Sequence, residues 1–236
     1  PVPNSSLFLN LASSPWILRS KKKYHALEAE HWWFRARRDV VLRLVRQCDL
    51  AKEARILEVG CSAGPLLREL RDWGWSDVTG IDISEPAIAA CREQGLSQTF
   101  VMDGASPPLD RESFDLVIAS DVLEHLPDDK LAVSNWTRLL KPGGTLIVFV
   151  PAYFWLWSAH DEVNRHFRRY TRGELIDLLT RQQLSIARSG YWNVAPLLPV
   201  TLVRWWSRWR NRAATANGVT AEVDPPSGDN LHAWPR

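Results

Sequence analysis

Residues 55–64, RILEVGCSAG, constrain the fold of this chain more than any other stretch. Ile56, Leu57 and Val59 form an apolar run of strand length that stops at Gly60. Small residues follow through Gly64, and a helical pattern then opens with Pro65, Leu66, Leu67, Arg68 and Leu70. Proline is tolerated in a first helical turn because the amide it lacks would find no acceptor there. The stretch therefore reads as strand, tight turn and helix. Helix N-terminal amides then border a space that no side chain fills, which suits a nucleoside-type ligand that comes close to the main chain. Glu58, at the strand end, would repel a pyrophosphate and favour a cationic ammonium group.

The dinucleotide fingerprint needs glycine at the first, third and sixth positions of such a turn. Here those positions hold Gly60, Ser62 and Pro65, which disfavours a nicotinamide-dependent oxidoreductase. The pattern Glu58-x-Gly60-x-x-x-Gly64 instead resembles the first motif of class I S-adenosylmethionine-dependent methyltransferases. That family usually carries glycine where Ser62 stands, and serine narrows the space for the methionine end of the cofactor. The resemblance implies an α/β fold with a doubly wound, mostly parallel, Rossmann-like sheet and an N-terminal helical lid. It also implies S-adenosylmethionine as cofactor, held at this turn by Glu58, Gly60, Cys61 and Gly64. The competing reading is an ordinary strand-to-helix turn with no ligand.

Further along, residues 77–82 (DVTGID) read as a second strand ending in Asp82, eighteen residues beyond Gly64. That distance is close to the ~20 residues expected for a ribose-binding carboxylate. Ile83 could pack on the adenine face, and Ser84 caps a helix with Pro86 in its first turn. Residues 98–102 read as a third strand followed by Asp103-Gly104, and the resemblance assigns Asp103 to the exocyclic amine of adenine. Residues 114–119 (FDLVIA) are a fourth, buried strand, leading into Ser120, Asp121 and the E-H-L-P segment that carries His125. This matches the family's fourth-strand motif, and the LKPGG turn with strand 145–150 matches its fifth. Between them a helix over 128–140 turns Leu131, Trp136, Leu139 and Leu140 inward. Strands alternating with helices give a parallel sheet, and its ligands lie beyond the strands' carboxyl ends.

Residues 151–170, PAYFWLWSAHDEVNRHFRRY, follow the fifth strand, where the family places substrate residues. Tyr153, Trp155 and Trp157 would wall an organic substrate, with Arg169 beside them and Trp33 contributed by the lid. His160 and His166 are the main candidates for a general base, with His125 a weaker third; Tyr170 helps to hold the substrate. Arg165, Arg168 and Arg169 around His166 would disfavour its protonation. Thr171 caps a further helix, and residues 184–192 read as a sixth strand.

The domain organisation follows. Residues 1–23 are a loosely ordered lead-in, and 24–192 are the methyltransferase-like domain with the helical lid over 24–48. In that lid the H-W-W-F cluster at 31–34 also resembles the family, while Arg37, Arg38, Arg43 and Arg46 fall on the polar side. Residues 193–212 form a basic, Trp-rich amphipathic helix, and 213–236 are a poorly ordered tail. The arc of Leu198, Leu202, Trp205, Trp206 and Trp209 flanked by arginines is expected to give peripheral membrane contact through residues 197–212, or else docks on its own domain.

A net charge of +2 is too small to imply nucleic acid. Cys48, Cys61 and Cys91 match neither a metal-ligand nor a disulfide spacing, so no metal is expected and the setting is cytoplasmic and reducing. The expected reaction is methyl transfer from S-adenosylmethionine to an oxygen of a small organic molecule. The alternatives are carbon methylation of a quinone-type lipid and a cofactor-binding scaffold without chemistry. Nothing in the sequence fixes the oligomeric state.

Overall fold

Every residue of the first strand, β1 (Ile56–Val59), is buried, as a strand covered on both sheet faces must be. The computed structural model describes residues 31–192, in two compact units: 31–150 with 182–184, and 151–181 with 185–192. The lead-in, the first part of the lid (24–30), the 193–212 helix and the 213–236 tail lie outside the described residues.

In the first unit β1 is joined by β2 (Val78–Asp82), β3 (Thr99–Val101), β4 (Phe114–Ser120) and β5 (Leu140–Phe149) in one parallel sheet, ordered β3-β2-β1-β4-β5. Helices α1 (Trp32–Gln47), α2 (Pro65–Asp72), α3 (Glu85–Glu93) and α4 (Asp129–Leu139) accompany it. The strand order reverses between β1 and β4, which pair in register from Ile56–Leu116 to Val59–Ala119. Such a reversal opens a crevice outside the carboxyl ends of those two strands. Val41, Leu42 and Val45 of α1 pack with Ile56, Leu66, Leu67, Leu70, Leu116 and Ile118 in one core. Each aliphatic side chain buried there contributes ~1.5–3 kcal/mol of transfer free energy.

Several expectations need correction. Arg37 and Arg38, assigned to the polar side of α1, both turn inward. Arg38 is buried and its Nε donates to Glu69 Oε1 at 3.0 Å, while Arg37 forms an ion pair with Asp121. Each guanidinium is admitted because it meets a carboxylate. Leu131 is 49% exposed; the inward face of α4 is Ala132, Val133, Trp136 and Leu139, at helical spacing. β5 begins at Leu140, so the KPGG segment is an irregularity within the strand, between the pairs Phe114–Leu140 and Leu116–Thr145.

The second unit contains a 3₁₀ turn (Phe154–Leu156), α5 (Ala159–Val163) and α6 (Arg172–Thr180). Residues 184–192 are not a strand. They pair with no strand among the described residues, and Ser189 Oγ and Tyr191 Oη accept hydrogen bonds from Arg172 at 2.7 and 3.1 Å.

Candidate cofactor and catalytic site

Four strands of the first unit deliver the expected cofactor residues to the same end of the sheet. Gly60 closes β1, Asp82 closes β2, Asp103 follows β3, and Ser120 closes β4 with Asp121 next. Parallel pairing makes this convergence unavoidable, since all strands point one way. At the turn Gly60 has φ +73°, and a Cβ there would stand 2.4 Å from Val122 Cγ2. Gly104 is similarly confined, its Cβ falling 2.9 Å from Val59 Cγ1. Bare backbone is therefore needed where these segments meet. Ser62 adopts φ +49°, which explains why glycine is usual at that position. Its amide is held by Asp82 Oδ2 at 2.9 Å, and Asp82 Oδ1 takes the Ser84 amide at 2.8 Å. Ser84 stands at the N-cap of α3 as expected, but its side chain makes no capping hydrogen bond.

The site residues differ in what they offer. Cys61 is buried, and hydrogen bonding with Cys91 together with burial pushes its thiol up. Ile83 is 76% exposed, an apolar surface standing open beside Asp82. Asp103 Oδ1 accepts from the Ala105 amide at 2.9 Å, and Gly104 O accepts from Trp136 Nε1 at 2.7 Å. A cavity of about 30 Å³ lies between α1 and the turn, bounded by Arg37, Arg38, Glu58, Gly60 and Ser120. The Ser120 hydroxyl is buried there without a hydrogen-bond partner among the described residues. An orphaned hydroxyl, a buried carboxylate and uncovered backbone fit a polar ligand with an adjacent cation. Arg37 is the residue that sequence reasoning missed; its ion pair with Asp121 sets it at the end of β4. A larger pocket, about 360 Å³, is lined by Arg46, Asp49, Leu50, Lys52, Trp73 and Trp75. Those residues precede β1 and β2, at the opposite strand ends, where Arg46 stacks on Trp73 and Lys52 on Trp75.

In the second unit the aromatics form two groups. Tyr153 stacks on Tyr191 with ring centroids 5.0 Å apart and leans on Trp155, and Phe154 packs on Trp157. Trp33, in the first unit, is part-exposed and set edge-on to Trp32. Among the histidines, His125 is exposed in the turn after β4, and His160 is exposed with its Nε2 2.9 Å from Asn164 Nδ2. His166 is 9% exposed, and its Nδ1 lies 2.9 Å from Oδ1 of the fully buried Asp161. Arg169 is not open to a substrate as expected: Nε and Nη2 bind Asp161 at 2.7 and 3.0 Å, and Nη1 binds Ala152 O at 3.0 Å. Tyr170 is buried, and its main chain ties the loop to Pro151 and Tyr153, a bracing role where substrate contact was expected. Donors from Arg169 and His166 overcome the burial that would raise the Asp161 carboxyl and hold it at about 2.

The comparisons with known proteins agree with this geometry. A family described as a methyltransferase domain matches residues 57–148, from β1 to β5. The ubiquinone biosynthesis O-methyltransferase of Coxiella burnetii is 28% identical over 60% of this chain and 61% of its own length. That of Methylococcus capsulatus is 38% identical over 38% of this chain and 40% of its own. The chain thus spans about three fifths or less of these relatives. A methyltransferase solved in complex with the Haloferax volcanii Trm112 methyltransferase activator superposes with a TM-score of 0.61 at 20% identity, over 72% of this chain and 75% of that one, a likeness of fold. Residues 57–148 are thus a methyltransferase domain with the class I S-adenosylmethionine-dependent fold, and S-adenosylmethionine is the cofactor of such a domain.

Proposed function

We propose that this chain transfers the methyl group of S-adenosylmethionine to an oxygen of a small organic molecule, with the cofactor lying across Gly60, Asp82 and Asp103. The observation that carries this reading is the convergence of the bare Gly60 turn with the Asp82 and Asp103 carboxylates where the strand order reverses. In this reading Asp82 takes the ribose hydroxyls, Ile83 covers the adenine face and Asp103 meets its amino group. Glu58 suits the ammonium of the methionine end, and Arg37 suits its carboxylate. When bound, the cofactor supplies a methyl group already activated on a cationic sulfonium. What the protein adds is mostly alignment, which can contribute ~7–11 kcal/mol.

An oxygen nucleophile also needs a proton acceptor. His160 and His166 are the candidates for it, with His125 a third. The names of the two curated relatives join O-methylation to ubiquinone biosynthesis, and they favour an oxygen acceptor on a small, lipid-linked molecule here. Peripheral membrane contact through residues 197–212 would suit such an acceptor; no helix among the described residues is long and apolar enough to cross a membrane. Vesicle co-sedimentation of the full chain at low and high salt tests that part, and a chain that stays in solution at low salt removes it.

The main test incubates the full chain and S-adenosylmethionine with a catechol, a simple phenol, a pyranose and a quinol, and measures S-adenosylhomocysteine and product mass. We expect product with the new methyl on oxygen. A methyl on carbon supports the quinone-type alternative. Intact cofactor binding without turnover of any acceptor supports the scaffold.

A further inference from the structure

We infer that Asn135 and Trp136 of α4 are positioning residues that aim the Asp103 carboxylate, and so set the preference of this chain for a purine with an amine over one with a carbonyl. The inference rests on the adenine role proposed for Asp103. Its ground is the way the segment after β3 is held. Asp103 is exposed, and its Oδ1 accepts from the Ala105 amide at 2.9 Å, which ties the carboxylate to its own turn. Oδ2 accepts from no group among the described residues and is the oxygen left for a ligand. The turn has no main-chain support of its own: among the described residues no backbone-to-backbone hydrogen bond involves residues 103–106. Helix α4 holds it instead. Trp136 Nε1 donates to Gly104 O at 2.7 Å, and Asn135 Nδ2 donates to Ala105 O at 2.9 Å and to Ser106 Oγ at 2.7 Å.

Helix geometry explains why two adjacent residues can share this task. Successive side chains on a helix point about 100° apart, so one enters the core while the next follows its rim. Trp136 is fully buried, on the face of Ala132, Val133 and Leu139, where its N–H meets no water and needs a protein acceptor. Gly104 O is that acceptor. Asn135 is half-buried, and Ala105 O can only accept, so the amide nitrogen rather than the oxygen must face it. Gly104 is also pressed against β1, where a Cβ would stand 2.9 Å from Val59 Cγ1. Two consecutive carbonyls and one hydroxyl are thus fixed from α4, and the Ala105 amide passes that placement to the Asp103 side chain.

The chemistry follows from what each group can offer. A carboxylate oxygen only accepts, so it suits the amine at C6 of adenine and opposes a carbonyl at the same place. Hydrogen bonds weaken steeply as their angle falls, so a tilt of the 103–106 turn would lose the bond to the amine. In the proposed reading the ribose and the methionine end belong to Asp82, Glu58 and Arg37, and the tilt would leave them in place.

The test is calorimetric titration of the full chain with S-adenosylhomocysteine and with S-inosylhomocysteine, which carries a carbonyl in place of the adenine amine. The wild type is expected to prefer the adenosyl compound by about 10-fold or more. Asn135→Leu and Trp136→Phe are each expected to weaken the adenosyl compound by about 3- to 10-fold and the inosyl compound little, so that the preference shrinks. Asn135→Leu changes a half-buried position and decides the matter if Trp136→Phe does not fold. Equal weakening of both compounds leaves the preference intact and overturns the inference, because α4 then only supports the domain. Asp103→Asn tests the underlying reading separately. Its Oδ1 still serves the Ala105 amide while an amide donor takes the place of Oδ2, so the preference should reverse. If Asp103→Asn keeps the wild-type preference, Asp103 does not meet the amine and the underlying reading fails. A preference reversed in Asp103→Asn but kept in Asn135→Leu defeats the inference alone.

Discussion

At the carboxyl ends of β1 and β2 the candidate groups are held by main chain, whereas in residues 151–170 they are held by one another. Asp82 is fixed by the amides of Ser62 and Ser84, and Gly60 by its own dihedral and the approach of Val122. Asp161, His166 and Arg169 depend instead on a buried charge cluster within one loop. The first arrangement follows from sheet topology and turn geometry. The second fails as a unit when any one charge is removed.

The largest effect should therefore fall on the loop. Asp161→Ala would leave the Arg169 guanidinium buried without its partner, a change that costs ~3–5 kcal/mol. Urea unfolding followed by tyrosine and tryptophan fluorescence measures it, and a loss below about 1 kcal/mol would mean that main chain holds this loop as well. Gly60→Ala comes next. A left-handed alanine and its clash with Val122 Cγ2 together cost ~2–4 kcal/mol. Adding Val122→Ala should restore the clash component alone, and full restoration would show that the dihedral does not matter.

Acid provides the third comparison. The Asp161 carboxyl is held at about 2, against an ordinary value of 3.8. A lowered folded-state value stabilises the fold above the ordinary pKa, and that contribution is lost as pH falls through the folded value. About 2.5 kcal/mol should disappear between roughly pH 4 and pH 2 in the wild type. Asp161→Asn lacks that carboxyl, and an equal drop in the variant would assign the acid sensitivity elsewhere. The smallest effect is Ser62→Gly, which relieves φ +49° and should stabilise by up to ~1 kcal/mol, a rise of ~2–4 °C in Tm. A lower Tm would place the Ser62 side chain among the stabilising contacts.

The same contrast explains what could be read from the residues. The apolar run of β1, its stop at Gly60 and the acids ending β2 and following β4 report periodicity and turn chemistry, so the sheet and the end at which these residues gather were legible. The Asp161–His166 pair was not, because sequence places His160 beside Asp161 and gives no sign that Arg165, left-handed at φ +56°, reverses the chain. Arg37 and Arg38 were misassigned because periodicity marks a face but not the carboxylates, Asp121 and Glu69, that draw a charge inward. Residues 184–192 alternate like a strand, yet a strand needs a partner, and among the described residues these find none and hydrogen-bond to Arg172.

Calorimetric titration of S-adenosylmethionine into the full chain and its Asp82→Ala variant tests the central claim most directly. The account predicts binding to the wild type and a loss of ~1.5–3 kcal/mol in the variant, roughly 10- to 100-fold in Kd, as the ribose loses a charged partner. Equal affinity in both proteins, or tight binding of NADH in place of S-adenosylmethionine, would contradict it.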